Sequence, residues 1–228
     1  MRLRKKSRFF LPLIFFLAFL LLSKYEDRHI IRNIDFAATV KIQDKIDKSV
    51  HLRVASFVDT IMEGSSFFAE PIFTGIVVVI LTGLAVKKKR WRALCIPAAF
   101  ILIVLIELYG KNVIHHPAPP FSMIKHTTSV FPANYINEQF SFPSGHTARA
   151  VFLSFCVYSL FIIHDSLFKK KTVRMLVVVG IMCYVMMVAT SRIYLGHHWL
   201  SDVVGGVLLG SGLGLLTMTC VSPIIDRQ

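Results

Sequence analysis

The stretch Ser191-Arg192-Ile193-Tyr194-Leu195-Gly196-His197-His198-Trp199-Leu200-Ser201-Asp202 sets an arginine, a histidine and an aspartate at the opening of a long apolar run. Ionisable groups at such a boundary are costly unless they are paired or used. His198 and Asp202 stand four residues apart, which on a helix stacks both side chains on one face. The carboxylate can then hold one imidazole nitrogen and leave the other to act as a base or nucleophile.

Two more places carry chemistry. In Phe142-Pro143-Ser144-Gly145-His146, a Ser-Gly pair at a helix start supplies a capping hydroxyl and bare amides at the positive end of the helix dipole, an anion site with His146 in its first turn. Lys111 closes another apolar run one turn after Glu107, a spacing that suits a helix-end ion pair or a snorkelling anchor as well as a cation for a bound anion. Taken together, Lys111, Ser144, Gly145 and Arg192 make a cage for a dianion, and His198 and His146 divide the work of phosphoryl transfer. One histidine attacks phosphorus and the other protonates the leaving oxygen.

Apolar runs position these groups. Six recur, at about 8 to 23, 66 to 86, 91 to 110, 145 to 168, 173 to 190 and 198 to 223, with lengths that read as membrane spans. The fold class expected is therefore all-α, a polytopic bundle of six transmembrane helices that puts Lys111, Ser144 to His146, Arg192 and His198 at the same end. The net charge of +13 is mostly topology rather than a nucleic-acid surface. Arg2, Arg4, Lys5, Lys6 and Arg8, then Lys87, Lys88, Lys89, Arg90 and Arg92, then Lys169, Lys170, Lys171 and Arg174 all fall on one side, which the positive-inside rule makes cytoplasmic together with both termini. The N-terminal run is read as a retained anchor rather than a cleaved signal, because no small-x-small site follows Leu22. No nucleic acid is expected as a partner; the partners are a lipid bilayer and a lipid substrate, in a multi-pass cell-membrane protein whose site faces the extracytoplasmic side.

Residues 24 to 65 are too charged to cross, with seven basic and seven acidic residues between Lys24 and Glu63. Ile42, Ile46, Val50, Val54, Phe57, Val58, Ile61 and Met62 recur at three and four, as in an amphipathic helix that lies on the outer interface, caps the bundle or makes a dimer contact. Gly64-Ser65-Ser66 is expected to break it. The whole of 1–228 is read as one domain, with 1–65 as first span and outer segment and 66–228 as core bundle. The loop 115 to 142 is proline-rich and not regular helix; its Lys125 and His126 suit either an anionic headgroup or solvent. Cys95, Cys156, Cys183 and Cys220 sit in separate runs and read as buried thiols, not as a metal or redox set. The glycines from Gly205 to Gly214 read as helix packing rather than a phosphate loop.

At the chemistry-bearing residues the chain resembles the type 2 phosphatidic acid phosphatases, relatives of the vanadium haloperoxidases. Their motifs are Lys-x6-Arg-Pro, Pro-Ser-Gly-His and Ser-Arg-x5-His-x3-Asp. The second is matched by Pro143, Ser144, Gly145 and His146, and the third by Ser191, Arg192, His198 and Asp202. The resemblance implies His198 as nucleophile, Asp202 as its orienter, His146 as general acid, and Lys111, Ser144, Gly145 and Arg192 around the phosphate, with no metal or other cofactor. It implies hydrolysis of a lipid phosphate or diphosphate such as undecaprenyl diphosphate, phosphatidylglycerol phosphate or phosphatidic acid through a phosphohistidine. Transfer to another acceptor, a degenerate lipid-phosphate binder and a metal hydrolase are the alternatives. The first motif departs from the pattern: Ala118 stands at the arginine position before Pro119, and His115 or His116 are the neighbouring candidates for a substitute donor.

Overall fold

A computed structural model describes residues 7–49, 52–87, 91–125, 139–162 and 170–221. Eight α-helices are seen among them: α1 (Ser7–Tyr25), α2 (His29–Ser49), α3 (Leu52–Phe67), α4 (Pro71–Lys87), α5 (Cys95–Val113), α6 (Gly145–Val157), α7 (Lys171–Tyr194) and α8 (Leu200–Val221). The only β-type pairing among the described residues is an isolated bridge between Pro117 and Phe140, so the fold is all-α. Among the described residues each of the six apolar runs is mostly helical. Among the described residues three helices are long and apolar enough to cross a membrane, 91–113 (α5 with the 3-10 turn before it), α7 and α8. Two bent pairs also pass together, α1 with α2 at 97° and α3 with α4 at 55°. Within the described part of the fourth run, α6 gives way to a π-helical turn at Tyr158–Ile162.

The segment read as one amphipathic helix is two, α2 and α3, and the second does not stop at Gly64-Ser65-Ser66. Both serines turn their hydroxyls back to the Met62 carbonyl, at 2.7 and 3.2 Å, which satisfies them inside the helix. The helix runs on to Phe67, and Pro71 starts α4 at the position where a missing N–H costs nothing.

α8 is the centre of the bundle and packs most extensively on α6 and α1. In lipid the hydrophobic effect does not press helices together, so close backbone approach must supply the contact. Gly206 and Gly210 allow it: a Cβ at the first would come within 2.4 Å of the Ser144 carbonyl, and at the second within 2.4 Å of the Ala148 carbonyl. α6 therefore lies in a groove made by absent side chains. The outer faces are apolar and exposed, as at Ile72, Val79, Leu105, Met182 and Met186. Cys183 and Cys220 belong to these exposed faces, contrary to the reading of buried thiols, while Cys156 is buried.

Candidate active site

Each charged group sits where the helix dipole favours it. Lys111 is in the last turn of α5 and Arg192 in the last turn of α7, beside carbonyl ends, and Asp202 is in the first turn of α8. The bundle brings these ends together with the start of α6. Arg192, Arg149, His198 and Lys111 all lie close enough to His146 for their charges to act on it. The backbone of Arg192 also holds the turn that follows, since its carbonyl accepts from the amides of His197 and His198, both at 3.1 Å. Gly196, at φ 72°, provides the left-handed residue that this reversal needs.

Asp202 is the most heavily engaged side chain. Its Oδ2 accepts from the Trp199 amide at 2.8 Å, so it reaches back to cap its own helix. The same oxygen lies 3.5 Å from His198 Nδ1, an ion-pair distance at which the two groups face each other without a formed hydrogen bond. With Nδ1 turned to the carboxylate, Nε2 is the ring nitrogen left for chemistry. Burial holds the His198 pKa below its ordinary 6.5; the Asp202 carboxylate works against this, and Arg192 and Lys111 add to it. The imidazole is thus neutral at pH 7 and carries a lone pair.

At the start of α6 the Ser144 hydroxyl does not cap the helix as expected. It bonds to Thr147 Oγ1 at 3.1 Å instead of accepting from a first-turn amide. The Ser144 amide is bound to the Asp202 carbonyl at 3.0 Å. A Cβ at Gly145 would overlap the Glu107 carboxylate, which would have to move aside. That carboxylate pairs with the fully buried guanidinium of Arg149 and lies 3.5 Å from Lys111 Nζ, which realises the i, i+4 pair seen in the sequence. Arg149 also donates Nε–H to the Ala69 carbonyl at 2.9 Å.

His115 and His116, the neighbours of Ala118, diverge. His115 is exposed and stacks edge-on against Phe140 at 4.9 Å. His116 is buried, with Nδ1 2.9 Å from Asp202 Oδ1 and Nε2 3.9 Å from Asp35 Oδ2. Both of its nitrogens face carboxylates, so it stands behind Asp202 rather than beside the two cations. Its pKa is lowered by burial but raised further by the Asp202 hydrogen bond and by the charges of Asp202, Asp35 and Glu26, for a net rise. Ala118 is half-buried, and its amide donates to the Gln139 carbonyl at 3.3 Å.

Several participants escaped sequence reading. Asp35, on α2, accepts from Ser201 N–H at 2.8 Å and Ser201 Oγ at 2.7 Å, which fastens the outer segment to the first turn of α8. Gln43 ties the same helix to the Met123 and Tyr194 carbonyls, at 2.8 and 3.0 Å. His197 accepts from Arg192 at 2.6 Å, and burial with that guanidinium and His198 pushes its pKa down to about 2. Lys125 is paired with Asp47 at 2.5 Å and lies over the Tyr194 ring. His126 lies outside the described residues.

Comparison with known proteins yields three findings. A family model, the PAP2 superfamily, matches residues 91–226. Phosphatidylglycerophosphatase B of Bacillus subtilis (strain 168) is 28% identical over 204 residues, covering 87% of this chain and 89% of that protein. Two solved structures share the fold. The transmembrane PAP2 type phosphatidylglycerolphosphate phosphatase from Bacillus subtilis has a TM-score of 0.74 at 24% identity, over 95% of this chain and 98% of that one. LpxE of Aquifex aeolicus has a TM-score of 0.56 at 19% identity, over 82% and 95%.

Proposed function

The chain belongs to the PAP2 superfamily, whose model spans more than half of it, and from that premise we propose that it hydrolyses a membrane lipid phosphate through a phosphohistidine on His198. The observation that carries this reading is the buried imidazole of His198, with Nδ1 3.5 Å from the Asp202 carboxylate and the charges of Arg192 and Lys111 close by.

In the proposed reaction the Nε2 lone pair of His198 attacks phosphorus and the phosphate ester P–O bond breaks. The departing alkoxide takes a proton from His146, which enters the step as the imidazolium and leaves it neutral. Water, giving a proton back to His146, then attacks phosphorus; the P–N bond breaks and inorganic phosphate leaves. Arg192, Lys111 and the first-turn amides at Gly145 carry the charge that builds on the phosphoryl oxygens, and one such donor is worth roughly 3 kcal/mol of barrier. A metal is not needed in this scheme, and two cations aimed at one place oppose its binding.

Phosphatidylglycerol phosphate is the first substrate to test, since it is what the curated relative's name specifies; phosphatidic acid and undecaprenyl diphosphate follow. We read the chain as six spans with cytoplasmic termini and the site on the extracytoplasmic side of the cell membrane, a reading supported by the basic clusters between the apolar runs. The test is phosphate release from these lipids by purified protein in detergent with a chelator present. Wild type is expected to turn over at least one lipid and His198→Ala none. Undiminished release by the variant would overturn the mechanism.

A further inference from the structure

Asp202 serves two imidazoles, and only one of them lies in the turn that holds the nucleophile. His198 faces its Oδ2 at 3.5 Å, while His116, from the loop after α5, donates to its Oδ1 at 2.9 Å. With the Trp199 amide also on Oδ2 at 2.8 Å, both carboxylate oxygens are engaged. A carboxylate held at one oxygen can turn about its Cβ–Cγ bond and lose the direction of the other; one held at both cannot.

His116 is itself backed. Asp35 lies 3.9 Å from its Nε2, and Asp35 is tied to α8 through both Ser201 donors. The His116 and Asp35 side chains are 2% exposed and that of Asp202 is 0%, so no water can replace a lost partner. A buried imidazole between two carboxylates also separates like charges that would otherwise face each other across the loop. Because both nitrogens of His116 are turned to carboxylates, it is not placed to donate to a phosphate in the way the missing arginine would.

We propose that His116 is a positioning residue for the nucleophile: by fixing Asp202 Oδ1 it aims Oδ2 at His198 Nδ1, which keeps the proton there and leaves Nε2 as the attacking atom. This rests on the reading of His198 as phosphoryl acceptor. Orienting partners of this kind, one shell removed from the reacting group, are worth about 10- to 100-fold in activity where they support metal-bound histidines.

Two amide substitutions separate positioning from bulk. His116→Asn keeps an N–H donor near the Nδ1 position and so the bond to Asp202; His116→Gln carries its donor to the Nε2 position, toward Asp35. Both are neutral and polar, so their burial costs are comparable. In detergent with phosphatidylglycerol phosphate, His116→Gln is expected to lower kcat about 10- to 100-fold with KM within about twofold, and His116→Asn to stay within about threefold of wild type. Independently of any substrate, nitrogen NMR of [15N]histidine-labelled protein, with His198 assigned by its loss in His198→Ala, reads the tautomer. Wild type and His116→Asn are expected to hold His198 protonated at Nδ1, and His116→Gln to show a mixture. An unchanged His198 tautomer in His116→Gln, or a mixture in folded His116→Asn, overturns the proposal. A wild type that hydrolyses no lipid phosphate would overturn the functional reading instead, while the tautomer measurement still judges His116.

Discussion

The Ser144 amide donates to the Asp202 carbonyl at 3.0 Å, so the first turns of α6 and α8 are joined through backbone. His146 is carried by one of these turns and the partner of His198 by the other. The spacing between general acid and nucleophile is therefore set by how closely two helices approach, and that approach depends on the glycines of α8.

Gly206→Leu is expected to separate the turns. Its Cβ would fall 2.4 Å from the Ser144 carbonyl, and overpacking of this kind costs about 1–3 kcal/mol. Displacement of the reacting groups by about 1 Å is worth on the order of 100-fold in kcat. Gly83→Leu is the control, because nothing lies within 4 Å of a Cβ there. Thermal unfolding in detergent together with kcat would show both losses in the first variant and neither in the second.

Arg149→Leu is expected to be among the most destabilising single changes. It leaves the Glu107 carboxylate buried without its guanidinium and also strips a donor from the Ala69 carbonyl. Breaking a buried pair costs about 3–5 kcal/mol. Glu107→Gln/Arg149→Leu should lose less than the sum of the two single changes, since the second removes the charge the first exposes. Additive losses in denaturant unfolding would show that the pair is not coupled.

The acid limb of kcat/KM is expected below pH 6.5. Only the neutral imidazole of His198 attacks, and its pKa lies under the ordinary 6.5 because burial, Arg192 and Lys111 together outweigh Asp202. Activity should thus persist as pH falls through 6.5 and fail only at the lower, folded value. A midpoint at or above 6.5 would mean that Asp202 dominates instead.

Ala118→Arg is expected to raise kcat/KM by about 10- to 100-fold on lipids whose phosphate reaches that side of the pocket. The position is half-buried, and its backbone is already fixed by the bond to the Gln139 carbonyl. A panel of lipid phosphates assayed on wild type and variant would identify which substrates gain. Equal rates on every lipid would show that a guanidinium there cannot reach the phosphate.

Much of the site is legible in the sequence because it is written in local spacing. His198 and Asp202 are one turn apart, His146 follows its cap position directly, and an apolar run long enough to cross a bilayer must be helix, so alternation of the runs gathers their ends. The glycines of α8 are readable for the same reason, as a small-residue face on a helix whose period is known. Local rules also mislead where a side chain has a second option: Ser65 and Ser66 satisfy themselves on the Met62 carbonyl and α3 continues, and the Ser144 hydroxyl bonds the Thr147 hydroxyl rather than a first-turn amide.

Other relations required the folded chain. Arg149 meets Glu107 across 42 positions, His116 meets Asp202 across 86, and Asp35 meets Ser201 across 166. No periodicity links residues so far apart. Each pairing is decided by the packing of whole helices, and burial then makes it obligatory, because a charge shut away from water must find a partner among whatever the bundle brings near. The sequence by itself determined which residues can carry the chemistry and that they share one end of a helical bundle. The tertiary structure alone decided that Asp202 is held from behind by His116 and that Arg149 joins the local Glu107–Lys111 pair, since long-range partners are chosen by helix packing and not by spacing along the chain.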